Sequence, residues 1–228
     1  MCGIIAYVGR KPAQNVLLEG LRRLEYRGYD SAGIAIMNGS GVETVKEAGK
    51  ISRLEALLAG SPVDGTTGIA HTRWATHGPP TRTNAHPHLS ADGTIAVVHN
   101  GIIENAATLR HMLEERGYVF RSETDTEVLA HLIQEFFDGR LEDAVMAALR
   151  RVEGTYGIAV ISSADPHKIV AARKGVARFT LAVQGRAAHA GVAPQDGASA
   201  VVALARKIVA LHALNDPVGG VSVNAIVT

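Results

Sequence analysis

Apolar residues recur along this chain with two different periods, and the switches between them mark out its strands and helices. Ile4, Ile5, Ala6, Tyr7 and Val8 form an unbroken apolar run, which predicts a buried strand over residues 2–8. Pro12 then opens a helix, because Val16, Leu17, Leu18, Leu21 and Leu24 return at helical spacing until about Glu25, with Gly28 ending it. A polar, glycine-punctuated stretch from Tyr26 to Gly33 leads into a strand near residues 34–37. Asn38-Gly39 turns the chain into a second strand near residues 42–46, the pattern of a hairpin. A short helix is expected over residues 52–58 and a strand over residues 67–72.

A long segment rich in Pro, Thr, Asn and His follows, reaching about Gly93. Loops of that length inside a compact domain commonly carry function. Residues 95–99 read as a strand that stops at Asn100-Gly101. Helices are expected near residues 106–116, 126–137 and 141–150, and strands at residues 156–161 and 168–172. After about Arg173 alanine, glycine and valine rise. A strand over residues 179–183, a helix over 198–211 and a strand over 221–227 are expected there.

Composition narrows the function classes. With 23 basic against 22 acidic residues and no Lys/Arg block, the chain lacks the charge footprint of a nucleic-acid surface. A single cysteine excludes an internal disulfide and suits a reducing compartment. The first apolar run has no basic flank before it and ends in Gly9-Arg10-Lys11-Pro12, unlike a signal peptide. No uninterrupted apolar stretch approaches the ~18 residues of a membrane span. The expectation is a cytoplasmic enzyme or binding protein without nucleic-acid or membrane partners.

Candidate chemistry begins at Cys2, the residue exposed if Met1 is removed. A terminal cysteine carries a thiol and a free α-amino group, a nucleophile with its own base. The alternative is a small buried hydrophobe at a strand start. Arg73 offers a planar fork for a carboxylate, and Asp125 offers a carboxylate for an ammonium group; the alternative is a surface ion pair of little worth. Asn100 and Gly101 offer a side-chain amide and a backbone N–H to an oxyanion, or else an ordinary turn. Trp74 is placed to cap a pocket. Together these parts would suit an α-amino acid with an acyl group at its far end. Five histidines lie between His71 and His99. No cysteine or carboxylate stands at metal-site spacing beside them, so they are read as loop histidines bonding backbone carbonyls, and neither a metal nor a cofactor is expected.

Longer stretches are more specific. Cys2-Gly3-Ile4-Ile5, Leu24 to Gly33, His71 to Gly78, Asn84-Ala85-His86-Pro87-His88, His99 to Asn105 and Ser122 to Glu127 occur in that order. In this they resemble the glutaminase domains of the glutamine–fructose-6-phosphate aminotransferase family, which are N-terminal-nucleophile hydrolases. The resemblance covers residues 1–173 and implies an α+β fold, an αββα sandwich. It also implies that Cys2 attacks the side-chain amide of L-glutamine, with Asn100 and Gly101 as the oxyanion hole. Arg73 and Asp125 would hold the substrate's carboxylate and ammonium, and Trp74, Thr76, His77 and Gly78 would line the pocket.

From about Lys174 the wording changes family. Arg178-Phe179-Thr180-Leu181 and Gly185 to Val192 resemble part of the dimerisation, or lid, domain of M20-type peptidases. The expected organisation is therefore a glutamine amidotransferase domain over 1–173, truncated, and a partial β-α-β segment over 174–228. The resemblance allows a homodimer through that segment, and the sugar-isomerase domains of the first family have no counterpart. The competing expectation is an inactive chimera whose tail serves only as an association module.

Overall fold

A computed structural model describes residues 2–27, 29–75 and 78–175 of this protein. Met1–Gly175 form one compact unit and Val176–Thr228 a second. The strands and helix expected beyond residue 176 lie outside the described residues.

In chain order the first unit runs β1 (Gly3–Val8), α1 (Ala13–Leu24), β2 (Ser31–Asn38), β3 (Gly41–Ala48), α2 (Ile51–Gly60), β4 (Thr67–Arg73), β5 (His88–Leu89) and β6 (Ile95–Ile103). It continues α3 (Ala106–Glu115), α4 (Asp125–Glu135), α5 (Leu141–Leu149), β7 (Gly154–Ser162) and β8 (Asp165–Lys174). The strands make two four-stranded antiparallel sheets, ordered β1-β4-β2-β3 and β5-β6-β7-β8.

Strand alternation explains the layering, since neighbouring side chains point to opposite faces of a sheet. On β2, Ala32, Ile34 and Ile36 pack with Leu17 and Leu21 of α1 and Leu54 and Leu58 of α2, whereas Ala35 and Met37 face the second sheet. On β6, Ile95 and Val97 join Val128, Leu129 and Leu132 of α4, while Ala96 and Val98 meet Ala35 and Ile69 across the sandwich. Helices thus cover the outer face of each sheet, and a layer of aliphatic side chains, alanines among isoleucine, valine and methionine, fills the space between. This is the αββα sandwich.

Two local features differ from the sequence expectation. β6 does not stop at Asn100-Gly101; it continues to Ile103, with Asn100 opposite Gly157 and Gly101 opposite Tyr156. The glycine is tolerated because its backbone is special: Gly101 has φ 138°, and a Cβ there would lie 2.0 Å from Thr155 O. The long loop after β4 is also less free than its composition suggests. Lys46 Nζ donates to the carbonyls of Thr83, Ala85 and Pro87 at 3.1, 2.8 and 3.2 Å, and burial lowers its pKa to about 8. One half-buried ammonium therefore gathers the carbonyls of Thr83, Ala85 and Pro87 against β3.

Helix α4 starts from a cap written in the sequence. Thr124 Oγ1 accepts Glu127 N–H, and the Glu127 carboxylate turns back to accept the N–H groups of Arg121 and Ser122 at 2.9 and 2.6 Å. Such reciprocal bonding satisfies the open end of a helix, and here it sets Asp125 as the first helical residue.

Candidate active site

The same alternation that fills the sandwich with alanine and isoleucine also builds a polar end to it. Ile69 of β4 faces the opposite sheet, so His71 and Arg73, two and four residues on, share that face. On β1, Ile4 faces inward, and Cys2 continues its row. On β6, Ala96 and Val98 are followed by Asn100. Cys2, His71, Arg73 and Asn100 therefore arrive from three strands at one end of the inter-sheet layer.

Their contacts are direct. Trp74 N–H donates to Cys2 Sγ at 3.1 Å, and Asn100 Nδ2 donates to the Cys2 carbonyl at 3.4 Å. Cys2 is half-buried and free. Pairing of Gly3 with Thr72 places the thiol beside the turn that leaves β4. That turn is held by Asp30, whose N–H donates to Arg73 O at 2.8 Å and whose carboxylate accepts Ala75 N–H. The Tyr26-to-Gly33 stretch thus supports the nucleophile's surroundings, a role that the sequence reading did not assign to Asp30.

Arg73 is only 3% exposed and Asp125 8%, which excludes a surface ion pair. The Arg73 guanidinium donates to Gly78 O and Pro79 O, each at 3.3 Å. Gly78 has φ 69°, and a Cβ there would stand 2.6 Å from Asn84 Nδ2. Asn84 in turn bridges Pro79 O and Glu123, at 3.1 Å to each, just ahead of Asp125. Asp125 Oδ2 accepts Ile103 N–H at 3.0 Å. A closed circuit of contacts therefore runs from Cys2 through Trp74, Arg73, Gly78, Asn84 and the start of α4 to β6 and back through Asn100. Trp74 is 54% exposed, at the rim. Thr76 and His77 lie outside the described residues.

The histidines keep their expected role only in part. His71, His86, His88 and His99 are all at most 5% exposed. They contact one another and neighbouring side chains, and His88 also keeps the expected bond to loop backbone, at Asn84. The rings of His71 and His86 stack with centroids 4.2 Å apart, and those of His86 and His88 meet edge-on at 4.9 Å. His88 Nε2 bonds Thr124 Oγ1 at 3.0 Å, and His99 Nδ1 bonds Thr126 Oγ1 at 3.1 Å. Gly33 makes the room, because a Cβ there would lie 2.3 Å from His86 O. Burial lowers the pKa of His71 to about 3 and those of His86 and His88 well below the usual value. His71, His86 and His88 are therefore neutral at physiological pH. Among the described residues no group of three or more His, Cys, Asp or Glu is arranged to hold a metal ion.

The pattern of the family described as "Glutamine amidotransferase domain" matches residues 71–194, and that of "Peptidase dimerisation domain" matches residues 171–226. Curated relatives named glutamine–fructose-6-phosphate aminotransferase [isomerizing] are similar in sequence. The Clostridium acetobutylicum protein is 53% identical over 174 residues, 76% of this chain and 29% of that protein. The Chlorobaculum tepidum protein is 57% identical over 182 residues, 77% of this chain and 30% of that one. This chain therefore spans under a third of the length of the relatives it matches. Among solved structures, the glutamine phosphoribosylpyrophosphate amidotransferase from B. subtilis superposes with a TM-score of 0.65 at 29% identity, covering 76% of this chain and 37% of that one. A structure described as the allosteric regulatory enzyme of purine biosynthesis gives 0.67 at 29% identity over the same shares. With the fold and the family pattern in agreement, the chain belongs to the glutamine amidotransferase domain family.

Proposed function

We propose that residues 1–173 hydrolyse L-glutamine to glutamate and ammonia through a thioester on Cys2. The observation that carries this reading is that the residue bearing the chain's sole thiol is met by an amide donor, Asn100 Nδ2, 3.4 Å from its carbonyl oxygen. Once Met1 is removed, the Cys2 α-amino group accepts the thiol proton as Sγ attacks the glutamine side-chain carbonyl carbon. The carbonyl electron pair moves to oxygen, which the second N–H of the Asn100 amide and Gly101 N–H stabilise. Collapse of this intermediate breaks the C–N bond, and the α-ammonium returns its proton to the departing ammonia. Water then attacks the thioester by the same route, releasing glutamate and the thiol.

In this reading Arg73 receives the substrate carboxylate and Asp125 its ammonium, with Trp74, Thr76, His77 and Gly78 around them. Asp125 Oδ2 accepts Ile103 N–H and Oδ1 accepts the Thr126 hydroxyl at 3.5 Å, which fixes the carboxylate. Arg73→Lys is expected to raise KM for glutamine by about 10-fold or more, since a point charge replaces a bidentate fork. An unchanged KM in steady-state assays would place the carboxylate site elsewhere. The curated relatives' name specifies fructose 6-phosphate; the part matched here is assigned only the glutamine side of that reaction. No helix among the described residues is long and apolar enough to cross a membrane, and the lone cysteine suits a cytoplasmic setting.

The test is a glutaminase assay on the full chain, with mass spectrometry of its N-terminus. Ammonia release by protein lacking Met1 supports the reading; inactivity of correctly trimmed, folded protein sinks it. We also assign residues 174–228 to self-association, on the strength of the dimerisation-domain match. Sedimentation equilibrium is expected to give a concentration-dependent dimer, and a monomer at all concentrations would refute this.

A further inference from the structure

Asn100 can serve an oxyanion only if its amide presents nitrogen, not oxygen, toward Cys2. The two orientations occupy nearly the same volume, so packing alone does not choose between them. The neighbour that does choose is His71, whose Nε2 lies 2.7 Å from Asn100 Oδ1. We propose that His71 is a positioning residue for glutamine hydrolysis: it donates Nε2–H to Asn100 Oδ1 and thereby turns the Asn100 NH₂ group toward the reacting centre. The proposal rests on the glutaminase reading above and adds a specific task for a residue outside the substrate pocket.

The geometry is one-sided. An amide oxygen only accepts, so the contact requires a proton on Nε2. His71 Nδ1 is buried and makes no hydrogen bond; besides Asn100, the polar group acting on the ring is the His99 backbone. The ring is completely shielded, with its other faces against His86. A neutral ring is therefore kept across the working pH range, because charging it inside the sandwich is costly. Were the amide reversed, Asn100 Oδ1 would face the Cys2 carbonyl, oxygen against oxygen, and no side-chain N–H would remain for the oxyanion. Strand pairing holds the two residues in place: His71 sits on β4 opposite Gly33 and Ile4, and Asn100 sits on β6 opposite Gly157. Neither residue relies on a loop for its position.

The experiment uses the full chain with four variants, His71→Gln, His71→Asn, Asn100→Ala and the double variant His71→Asn/Asn100→Ala. The Gln amide nitrogen reaches about as far as histidine Nε2, whereas Asn is too short to reach Asn100. His71→Asn is expected to lower kcat about 10²-fold, the scale of losing one oxyanion donor, with KM for glutamine within about threefold of the parent's. His71→Gln is expected to recover at least about a tenth of parental kcat. In the Asn100→Ala background, His71→Asn should cost no further factor beyond about three, because the group it orients is gone. Alkylation of Cys2 by iodoacetamide develops no oxyanion and should proceed at the parental rate in every variant, which also reports an intact site. Equal losses in Gln and Asn variants, a full additional loss in the double variant, or parental kcat in His71→Asn would each overturn the proposal. An inactive parent would instead sink the glutaminase reading, so the two failures are distinguishable.

Discussion

Cys2→Ser is expected to reduce glutamine turnover by on the order of 10⁴-fold or more while leaving thermal unfolding close to the parent's. The large kinetic effect follows from chemistry: near neutral pH a hydroxyl is a far weaker nucleophile than a thiol with an adjacent amine. The small structural effect follows from the site. Cys2 Sγ meets the Trp74 backbone, accepting its N–H at 3.1 Å and donating to its carbonyl at 3.6 Å, and is only half-buried. A serine oxygen accepts the same bond, and the six paired positions between Gly3–Val8 and Thr67–Thr72 are untouched. A glutamine-analogue electrophile should label the parent once, at Cys2, and the variant not at all. Substantial turnover by Cys2→Ser would refute the thioester route. Loss of folding in calorimetry would mean that the thiol's role is structural.

Acid is expected to unfold this domain earlier than carboxylate titration alone would. Burial depresses the pKa of His71 to about 3 and those of His86 and His88 well below the ordinary 6.5. In the unfolded chain all three titrate near ~6.5. Their neutral burial therefore costs nothing above that pH. Below it the unfolded chain binds more protons than the folded one, and stability falls as the pH drops from 6.5 toward 3. Each such group contributes a slope of roughly 1 kcal/mol per pH unit, so the three together cost roughly 3–4 kcal/mol over the first unit. That is a large share of a typical ~5–15 kcal/mol. Urea midpoints measured between pH 7.5 and 5 should decline steeply below 6.5. A flat profile to pH 5 would mean that these rings gain protons without unfolding. The domain would then have room to solvate charge in its interior.

Several elements were legible because their cause is local. The periodicity of Leu17, Leu18 and Leu21 marks α1, and all three pack on the first sheet as that spacing requires. The helix expected from residue 126 is α4, and the cap that Thr124 and Glu127 make starts it one residue earlier, at Asp125. The strand from Ile95 was located, but not its end. Asn100-Gly101 ordinarily signals a turn, and here pairing with Gly157 and Tyr156 carries the strand onward. Cross-strand hydrogen bonds outweigh local turn preference when the partner strand is already in place. The histidines were read only in part, for a related reason. Their surrounding composition is that of a loop, yet Lys46 and Asn84 fasten that loop into the sandwich, so rings read as bonding loop carbonyls also stack on one another and bond side chains inside it.

By itself the sequence determined which chemistry is available: the Cys2 thiol next to Met1, the Arg73 guanidinium, the Asp125 carboxylate and the Asn100-Gly101 pair. It also determined the faces, because an alternation of period two assigns each strand residue to the helix side or the inter-sheet side. The tertiary structure alone decided that the inward rows of β1, β4 and β6 end together. Cys2 lies 98 positions from Asn100 and 72 from Trp74, and no local preference spans such distances. Their meeting depends on sheet order and register, which are set by packing small inter-sheet residues such as Ala35, Ala96 and Ala159 against one another. The orientation of the Asn100 amide was likewise decided only there, since it depends on a ring 29 positions away donating one proton at 2.7 Å.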